Sequence, residues 1–283
     1  MATNALCDYL FILNPGKCGS TWLAKALSVR PFLAPPGELD FIFFLEYPPE
    51  KQWNRKTADD PEFLRVREST TLSPLDKLSE LYRLERERHP DLKMLIDKSP
   101  SNVLAFPRYY DIFRESRIVI MYRDPRDIFV SLEFFHQQVL KNREPREKIG
   151  ESEYLRHWSH LWHAVKNCRA TLECERLLQR AKIPHLRLTY EQLIEDFEAT
   201  VRRVLEFSGL GLTDQDLVQS PGVDEPRPLA EHLDLAKTVR PLFRKGVAGD
   251  WSNHLTTDEA KGVVKELVGD LLIELGYESD YRW

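Results

Sequence analysis

The sequence predicts an α/β fold in which a parallel β-sheet carries helices on both faces. Short aliphatic runs of strand length alternate with longer segments of helical spacing, and neither an internal repeat nor a linker interrupts this alternation. A chain of 283 residues, of which 42% are hydrophobic, is long enough to bury such a sheet between two layers of helices. We therefore expect a single domain over residues 1–283.

Each strand is predicted where aliphatic residues run together between segments of helical spacing. The runs YLFIL and RIVIMY are almost wholly apolar, which is typical of parallel strands that are buried on both faces. The predicted strands are Tyr9–Leu13, Lys93–Ile96, Arg117–Tyr122 and His185–Thr189. The predicted helices lie near Thr21–Val29, Leu75–Arg88, Val103–Arg114, Asp127–Leu140, within Glu153–Ala181, and near Glu191–Phe207 and Asp258–Leu275. Ligands of such sheets bind beyond the carboxyl ends of the strands, so the segments that follow the strands are the first candidates for a site.

Composition excludes several classes of protein. The formal net charge is -5, so the chain has no general affinity for nucleic acid or for an acidic membrane, and an anionic ligand would need a local cluster of cations. No apolar run is long enough to span a membrane, and no secretory signal is apparent. The 4 cysteines form no CxxC pair, which predicts neither a metal site nor a disulfide framework. A cytoplasmic location is expected.

The loop after the first predicted strand, NPGKCGSTW over residues 14–22, has the composition of an anion cradle. Two glycines allow the backbone to curl so that successive N–H groups face one anion, and the helix that follows adds its positive N-terminal end. A lysine supplies charge and two hydroxyl side chains can contact phosphate oxygens. The context of strand, loop and helix therefore predicts a P-loop-like nucleotide-binding architecture. The candidate ligand-binding residues are Gly16, Lys17, Cys18, Gly19, Ser20, Thr21 and Trp22.

The lysine position separates this loop from that of nucleotide kinases. Kinases have the order GxxxxGK[ST], whereas here Gly19 directly precedes Ser20 and the lysine stands earlier, at the apex of the loop. From that position Lys17 is expected to reach a bridging oxygen beyond the cradled phosphate, where a leaving group would form. Cys18 lies near the lysine and a helix N-terminus, which predicts an acidic thiol without a catalytic role.

Three further segments carry anion-binding chemistry. Arg123 directly follows the third predicted strand, and Ser131 comes about two helical turns later. Together they can bind a phosphate, or they can simply belong to a capped, ion-paired helix. Arg244 and Lys245 stand beside Gly246, where the backbone can approach an anion closely. Tyr190 follows the fourth strand, as a ligand contact or as an aromatic side chain of the core.

These segments resemble, in order along the chain, the motifs of sulfotransferases that use 3'-phosphoadenosine 5'-phosphosulfate (PAPS). The first loop is similar to PKSGTTW, the Arg123 segment to RxPxDxxxS, TYEQL to YEDL, and the C-terminal segment to RKGxxGDWxNH. The resemblance implies transfer of a sulfuryl group from PAPS to an acceptor hydroxyl, leaving adenosine 3',5'-bisphosphate (PAP), without a metal. It implies that Arg123 and Ser131 bind the 3'-phosphate and Tyr190 contacts adenine. Arg244, Lys245 and Gly246 are then expected to close over the 3'-phosphate and adenosine.

The resemblance also indicates the catalytic groups. Lys17 is expected to stabilise the leaving phosphate, and Lys98 in DKSPSN resembles the second cation of the EKSPSY stretch in the glycan-modifying branch. In the small-molecule branch a histidine acts as the general base at the position where this chain has Pro100. The general base of this chain is therefore expected elsewhere. Glu38 is the first candidate, and the others, in order, are Asp40 and His136.

Alternatives remain at this stage. A P-loop kinase of a small alcohol or nucleoside would use Asp97 to hold magnesium, and a catalytically inactive nucleotide-binding module would keep only the cradle. The acceptor is expected to be a hydroxyl on a small molecule, lipid, glycan or carrier-bound intermediate, and the acidic balance favours a neutral or carrier-bound alcohol. Its pocket is predicted from the loop-like segments Phe32–Tyr47, Gln138–Ser152 and Gly222–Thr238. No oligomeric state is predicted.

Overall fold

The computed structural model describes residues 8–34, 39–46, 55–141, 153–219, 225–238 and 246–283, without the side chains of residues 55–56, 136–141, 153–160 and 238. The strands in these ranges are β1 Tyr9–Leu13, β2 Leu33–Ala34, β3 Met94–Asp97, β4 Arg117–Tyr122, β5 His185–Thr189, β6 Leu217–Val218 and β7 Arg227–Pro228. The α-helices are α1 Ser20–Ala26, α2 Phe41–Glu46, α3 Arg55–Ala58, α4 Pro61–Glu68, α5 Pro74–Glu87, α6 Asn102–Phe113, α7 Pro125–Lys141, α8 Glu153–Arg180, α9 Tyr190–Glu195, α10 Phe197–Ser208, α11 Leu229–Thr238 and α12 Asp258–Leu275. A short 3-10 helix covers Asp250–Asn253.

The main sheet is parallel and has β1 at its centre. Within the described ranges its 5 strands run in the order β2-β3-β1-β4-β5. On one side of β1, Leu10 is opposite Ile96, and on the other side Ile12 is opposite Val119. The carboxyl ends of β1, β3, β4 and β5 therefore meet at one edge, as the alternation of strands and helices predicted.

Side chains from alternate positions of the strands fill two hydrophobic cores, one on each face of the sheet. Phe11 and Ile118 point into the first core, where Tyr82 and Phe113 from the covering helices pack edge-on against Phe11. Leu10 and Ile12 point into the second core, against α1, α10 and α11. Burial on both faces explains why these strands read as continuous apolar runs. The predicted α/β fold with helices on both faces is confirmed.

Some predicted boundaries were wrong, for local reasons. The helix predicted near Glu191–Phe207 is two helices, because Asp196 leaves helical geometry (φ -136°) and its carboxylate caps α10 by accepting from the N–H of Ala199. Strand β3 extends to Asp97, one residue past the prediction, which places Lys98 directly after the sheet edge. The acceptor segments predicted as loops contain helices: α2 lies in the first and α11 in the last.

Candidate active site

The loop between β1 and α1 is shaped by three residues in the left-handed region. Gly16 has φ 83°, Lys17 φ 54° and Gly19 φ 83°. Left-handed residues of this kind curl the backbone into a concave nest whose N–H groups can face one anion. Lys17 is not a glycine and so carries steric strain of about 1–2 kcal/mol, which the rest of the fold must offset. The structure therefore places the predicted anion cradle at the carboxyl end of β1.

The carboxamide of Asn14 holds this loop in shape. Its Oδ1 accepts from the N–H of Gly16 at 3.0 Å, the hydroxyl of Ser20 at 3.3 Å and the thiol of Cys18 at 3.6 Å. Its Nδ2 donates to the carbonyl of Ile12 at 2.9 Å and to that of Lys98 at 3.0 Å. One fully buried side chain thus connects the cradle to the ends of β1 and β3.

A second amide supports the loop from the other side. Asn167 on α8 is buried, and its Nδ2 lies 3.1 Å from the carbonyl oxygen of Pro15 and 3.0 Å from Nε2 of His163. Sequence reasoning named neither Asn14 nor Asn167 as a site residue. A short polar side chain directly after a buried strand could have pointed to Asn14. No local pattern could have pointed to Asn167, because its partner Pro15 lies 152 residues away.

Tyr190 packs inside the protein beneath the cradle. A Cβ added to Gly19 would lie 2.7 Å from Cδ2 of Tyr190, so only glycine fits there. The guanidinium carbon of Arg123 lies 4.1 Å from the centre of the Tyr190 ring, and the ring is 1% exposed. Tyr190 therefore supports the cradle and the arginine. Its contact with adenine stays a prediction.

Arg123 joins two loops that are distant in sequence. Its Nη1 donates to the carbonyl of Lys17 at 2.9 Å, and its Nη2 donates to the carbonyl of Val247 at 3.2 Å. Asp127 lies 3.6 Å from the same Nη2. The buried Nε has no hydrogen-bond partner among the described residues. Arg123 thus bridges the cradle and the C-terminal turn, with hydrogen-bonding capacity left for an anion.

The turn after Gly246 is fixed by Asp127. One carboxylate oxygen accepts from the N–H of Gly249 at 2.8 Å and the other from the N–H of Trp251 at 2.9 Å. Gly246, half-buried, also has a positive φ of 68°. The Asp of the Arg123 segment and the GDW of the C-terminal segment are therefore parts of one unit, which explains why both motifs occur together.

Lys98 follows β3 on a loop that Asp97 organises. One carboxylate oxygen of Asp97 accepts from the N–H and hydroxyl of Ser99 at 2.9 and 2.6 Å. The other accepts from the hydroxyl of Tyr82 at 2.6 Å and from Nδ2 of Asn102 at 3.1 Å. Lys98 itself is buried, with 7% of its surface exposed. The four donors occupy both oxygens of Asp97 and assign it a structural role.

Asp40, a candidate base, lies against this same loop. Its N–H donates to the Ser99 hydroxyl at 3.0 Å, and its Oδ1 accepts from the Ser101 hydroxyl at 2.8 Å. Asp40 is buried and has a left-handed φ of 50° at the start of α2. The structure therefore brings Asp40 and Lys98 to one region at the end of β3.

The side chain of Lys17 packs against helix α7. Its Nζ lies 3.4 Å from the centre of the Phe135 ring on α7, and that ring is 48% exposed. An ammonium group over an aromatic face is held by a cation–π interaction. The sequence analysis did not single out Phe135, so this contact is a finding of the structure.

The other predicted site residues fall into three groups. Thr21 and Ser131 are half-buried on α1 and α7. Trp22 is 3% exposed, stacks on Phe197 at 4.5 Å and donates its indole N–H to the carbonyl of Ala236 at 3.0 Å, so it anchors α1 to α11. Outside the described residues lie Glu38, Arg244, Lys245 and the side chain of His136.

The prediction of an acidic Cys18 thiol was wrong. Burial raises the pKa of the Cys18 thiol to about 11, and hydrogen bonds from Ser20 and the charge of Arg123 offset this only in part. Cys18 is fully buried, so the desolvation of a thiolate outweighs the local positive charge. The side chain is therefore a neutral thiol near physiological pH.

These features place a candidate anion-binding site at the carboxyl edge of a parallel α/β sheet. The profile of the Sulfotransferase family matches residues 10–214. The chain belongs to this family, which confirms the class predicted from the motifs, a PAPS-dependent sulfotransferase.

Individual relatives agree with this assignment. Sulfotransferase 2A1 of Macaca fascicularis is 27% identical over 185 residues, which cover 61% of this chain and 63% of that protein. Cytosolic sulfotransferase 7 of Arabidopsis thaliana is 28% identical over 302 residues, which cover 97% of this chain and 80% of that protein. The crystal structure of mouse sulfotransferase SULT7A1 complexed with PAP shares the fold, with a TM-score of 0.54, 18% identity and coverage of 94% of this chain and 84% of that one.

Membrane-spanning helices and metal clusters are both absent from the described residues. In the part of the chain that the structure describes, no helix is long and apolar enough to cross a membrane. Within the same ranges, no cluster of three or more histidine, cysteine, aspartate or glutamate side chains has the arrangement of a metal site.

The raised pKa of Cys18 leads to a first prediction. Cys18→Ser should retain most activity, because serine keeps a donor for Asn14 and the thiol is neutral. In the native protein, iodoacetamide should alkylate Cys18 slowly at neutral pH, and the rate should rise as the pH approaches about 11. Mass spectrometry of native and denatured samples measures the modification. Loss of most activity in Cys18→Ser would instead assign the thiol a functional role.

Proposed function

We propose that the cradle after β1, together with Arg123, binds the phosphates of PAPS and that Lys17 and Lys98 serve the transfer. The observation that carries this proposal is the position of Arg123, which bridges the carbonyls of Lys17 and Val247 and keeps a buried Nε without a partner in the described ranges. In this arrangement Arg123, with Ser131 from α7, would hold the 3'-phosphate. The PAP bound in the mouse relative supports the ligand class.

The proposed reaction is an in-line transfer. The bond between sulfur and the oxygen that bridges to the 5'-phosphate breaks, and a bond forms between sulfur and the acceptor oxygen. The acceptor proton passes to the base, and the electron pair of the broken bond leaves with the 5'-phosphate of PAP. Because the transferred group is loosely bonded in such reactions, positioning and charge stabilisation by Lys17 and Lys98 would supply most of the acceleration.

The kinase alternative is disfavoured by the structure around Asp97. A magnesium-holding carboxylate needs a lone pair directed at the metal, whereas each oxygen of Asp97 already accepts two hydrogen bonds. A kinase would hydrolyse ATP in the presence of magnesium and would not use PAPS. Detectable turnover of PAPS also excludes the inactive module.

Donor binding leads to a second prediction. Arg123→Ala should weaken PAP binding about tenfold to hundredfold, because a hydrogen bond to a charged group contributes about 1.5–3 kcal/mol. Arg123→Lys should recover only part of the affinity, since lysine lacks the planar fork. Isothermal titration calorimetry measures both, and Arg244→Ala should also weaken binding. Arg202→Ala on α10, whose partners are Glu198 and Asp214, is the control. No detectable binding to the unmodified protein at millimolar PAP would refute the proposal.

The general base leads to a third prediction, which rests on the sequence for Glu38. Glu38→Gln should lower kcat by about a hundredfold or more without changing the affinity for PAP, because general bases contribute about 10²- to 10⁴-fold. Asp40→Asn is the matched comparison, as it keeps the acceptor oxygen for Ser101. If Glu38→Gln turns over normally and Asp40→Asn does not, Asp40 is the base. If neither variant is impaired, His136→Gln becomes the next test.

The acceptor leads to a fourth prediction. We propose a neutral or carrier-bound alcohol, since the chain carries a net charge of -5. Helices α2 and α11 lie in two of the segments expected to line its pocket. Transfer of radiolabelled sulfate from PAPS should label uncharged alcohols and leave polyanionic glycans unlabelled. A preference for heparan-type chains at low salt would contradict this.

The proposal includes a single domain over residues 1–283. A cytoplasmic location is also proposed, supported by the cytosolic relative from Arabidopsis.

A further inference from the structure

A segment with no role in the proposed chemistry packs beside the donor site. Residues 277–283, after α12, contact the first turn of α7 and the start of α9, which follow the strands β4 and β5. These are the two elements that begin beside Arg123 and at Tyr190. The contacts are made by Tyr277, Glu278 and Trp283.

Arg126 is the centre of these contacts. Its guanidinium carbon lies 3.8 Å from the centre of the Trp251 ring and 4.5 Å from that of Trp283. The two rings meet edge-on, with centroids 5.6 Å apart. The guanidinium also donates to Asp124 at 2.7 Å and to Glu278 at 2.5 Å. Arg126 is 2% exposed and the Glu278 side chain is 20% exposed, so the guanidinium makes these contacts largely out of water.

The Trp251 ring belongs to the turn that positions Arg123. Asp127 binds the N–H groups of Gly249 and Trp251, and the carbonyl of Val247 in the same turn accepts from Arg123 at 3.2 Å. A shift of the Trp251 ring would therefore move the carbonyl that orients the guanidinium. Val247 and Gly249 are exposed. The turn is held on this side through Trp251, whose ring contacts the buried Arg126.

A second contact fixes the same segment to the start of α9. The hydroxyl of Tyr277 donates to one oxygen of Glu191 at 3.0 Å, and the N–H of Asp124 donates to the other at 3.3 Å. Burial raises the pKa of the Glu191 carboxyl, and these hydrogen bonds oppose the shift in part. Glu191 directly follows Tyr190. The segment is therefore attached both to α7, which begins two residues after Arg123, and to α9, which begins at Tyr190.

We propose that Trp283 and Glu278 are positioning residues for donor binding: through Arg126 they hold the Trp251 ring, and with it the turn whose Val247 carbonyl orients Arg123. The inference rests on the proposed phosphate-binding role of Arg123. It assigns a function to a segment that lies outside the residues 10–214 matched by the family profile.

Trp283→Ala tests this proposal. It should raise the Kd for PAP and the KM for PAPS about threefold to thirtyfold, the range that loss of one cation–π contact produces, and leave kcat at saturating PAPS unchanged. Trp283→Phe should restore most of the affinity, because it keeps an aromatic face for Arg126. Arg282→Ala is the control, because the Arg282 side chain is 89% exposed and forms an ion pair with Asp280.

The outcomes separate this proposal from the one on which it rests. If Arg123→Ala loses PAP binding while Trp283→Ala binds as the unmodified protein does, the donor site stands and the positioning role is wrong. If the unmodified protein does not bind PAP, both fail. A lower melting temperature in Trp283→Ala with unchanged KM would show a purely structural contact. Should Trp283→Ala not fold, Glu278→Gln decides, because it keeps both rings and should still raise the KM for PAPS.

Discussion

The carboxamide of Asn14 is the interaction on which the geometry of the site depends. The loop after β1 contains three left-handed residues in a short span, and Lys17 takes this conformation at a steric cost. A buried amide can offset that cost because it has both an acceptor and a donor group. The side-chain oxygen accepts hydrogen bonds from Gly16, Cys18 and Ser20. The side-chain nitrogen donates to the carbonyls of Ile12 and Lys98. Any relaxation of the loop would leave several of these groups buried without partners.

Much of the fold and part of the site were predictable from the sequence. The strands β1, β4 and β5 have the predicted bounds, because runs buried on both faces are apolar throughout. Strand β2 was not predictable, since two residues carry no periodicity and their pairing depends on β3. The break at Asp196 was missed because a capping aspartate inside an amphipathic pattern looks like an exposed helix residue until its N–H partner is known.

The supporting groups of the site were beyond sequence reasoning for a different reason. The motifs consist of residues that are close together in the sequence, so their spacing can be recognised without a structure. Asn167 and Glu278 act on partners that are 152 residues away, so no local pattern records the contact. Tyr190 shows the intermediate case. The sequence left open whether it contacts a ligand or packs in the core, and the close approach to Gly19 shows that it packs against the cradle.

Arg123 and Arg126 show how a protein with net charge -5 can hold a polyanion. The two arginines begin the same strand-to-helix segment, yet their surroundings are opposite. Arg126 is matched by the carboxylates of Asp124 and Glu278 and is enclosed by indole rings, so its charge is used within the protein. Arg123 donates mainly to carbonyl oxygens, which orient a guanidinium without cancelling its charge, and Asp127 is mostly engaged by backbone N–H groups. The positive potential at the sheet edge therefore depends on which acceptors surround each arginine. The net charge of the whole chain affects only the long-range approach of ligands, and a neutral acceptor is not repelled by it.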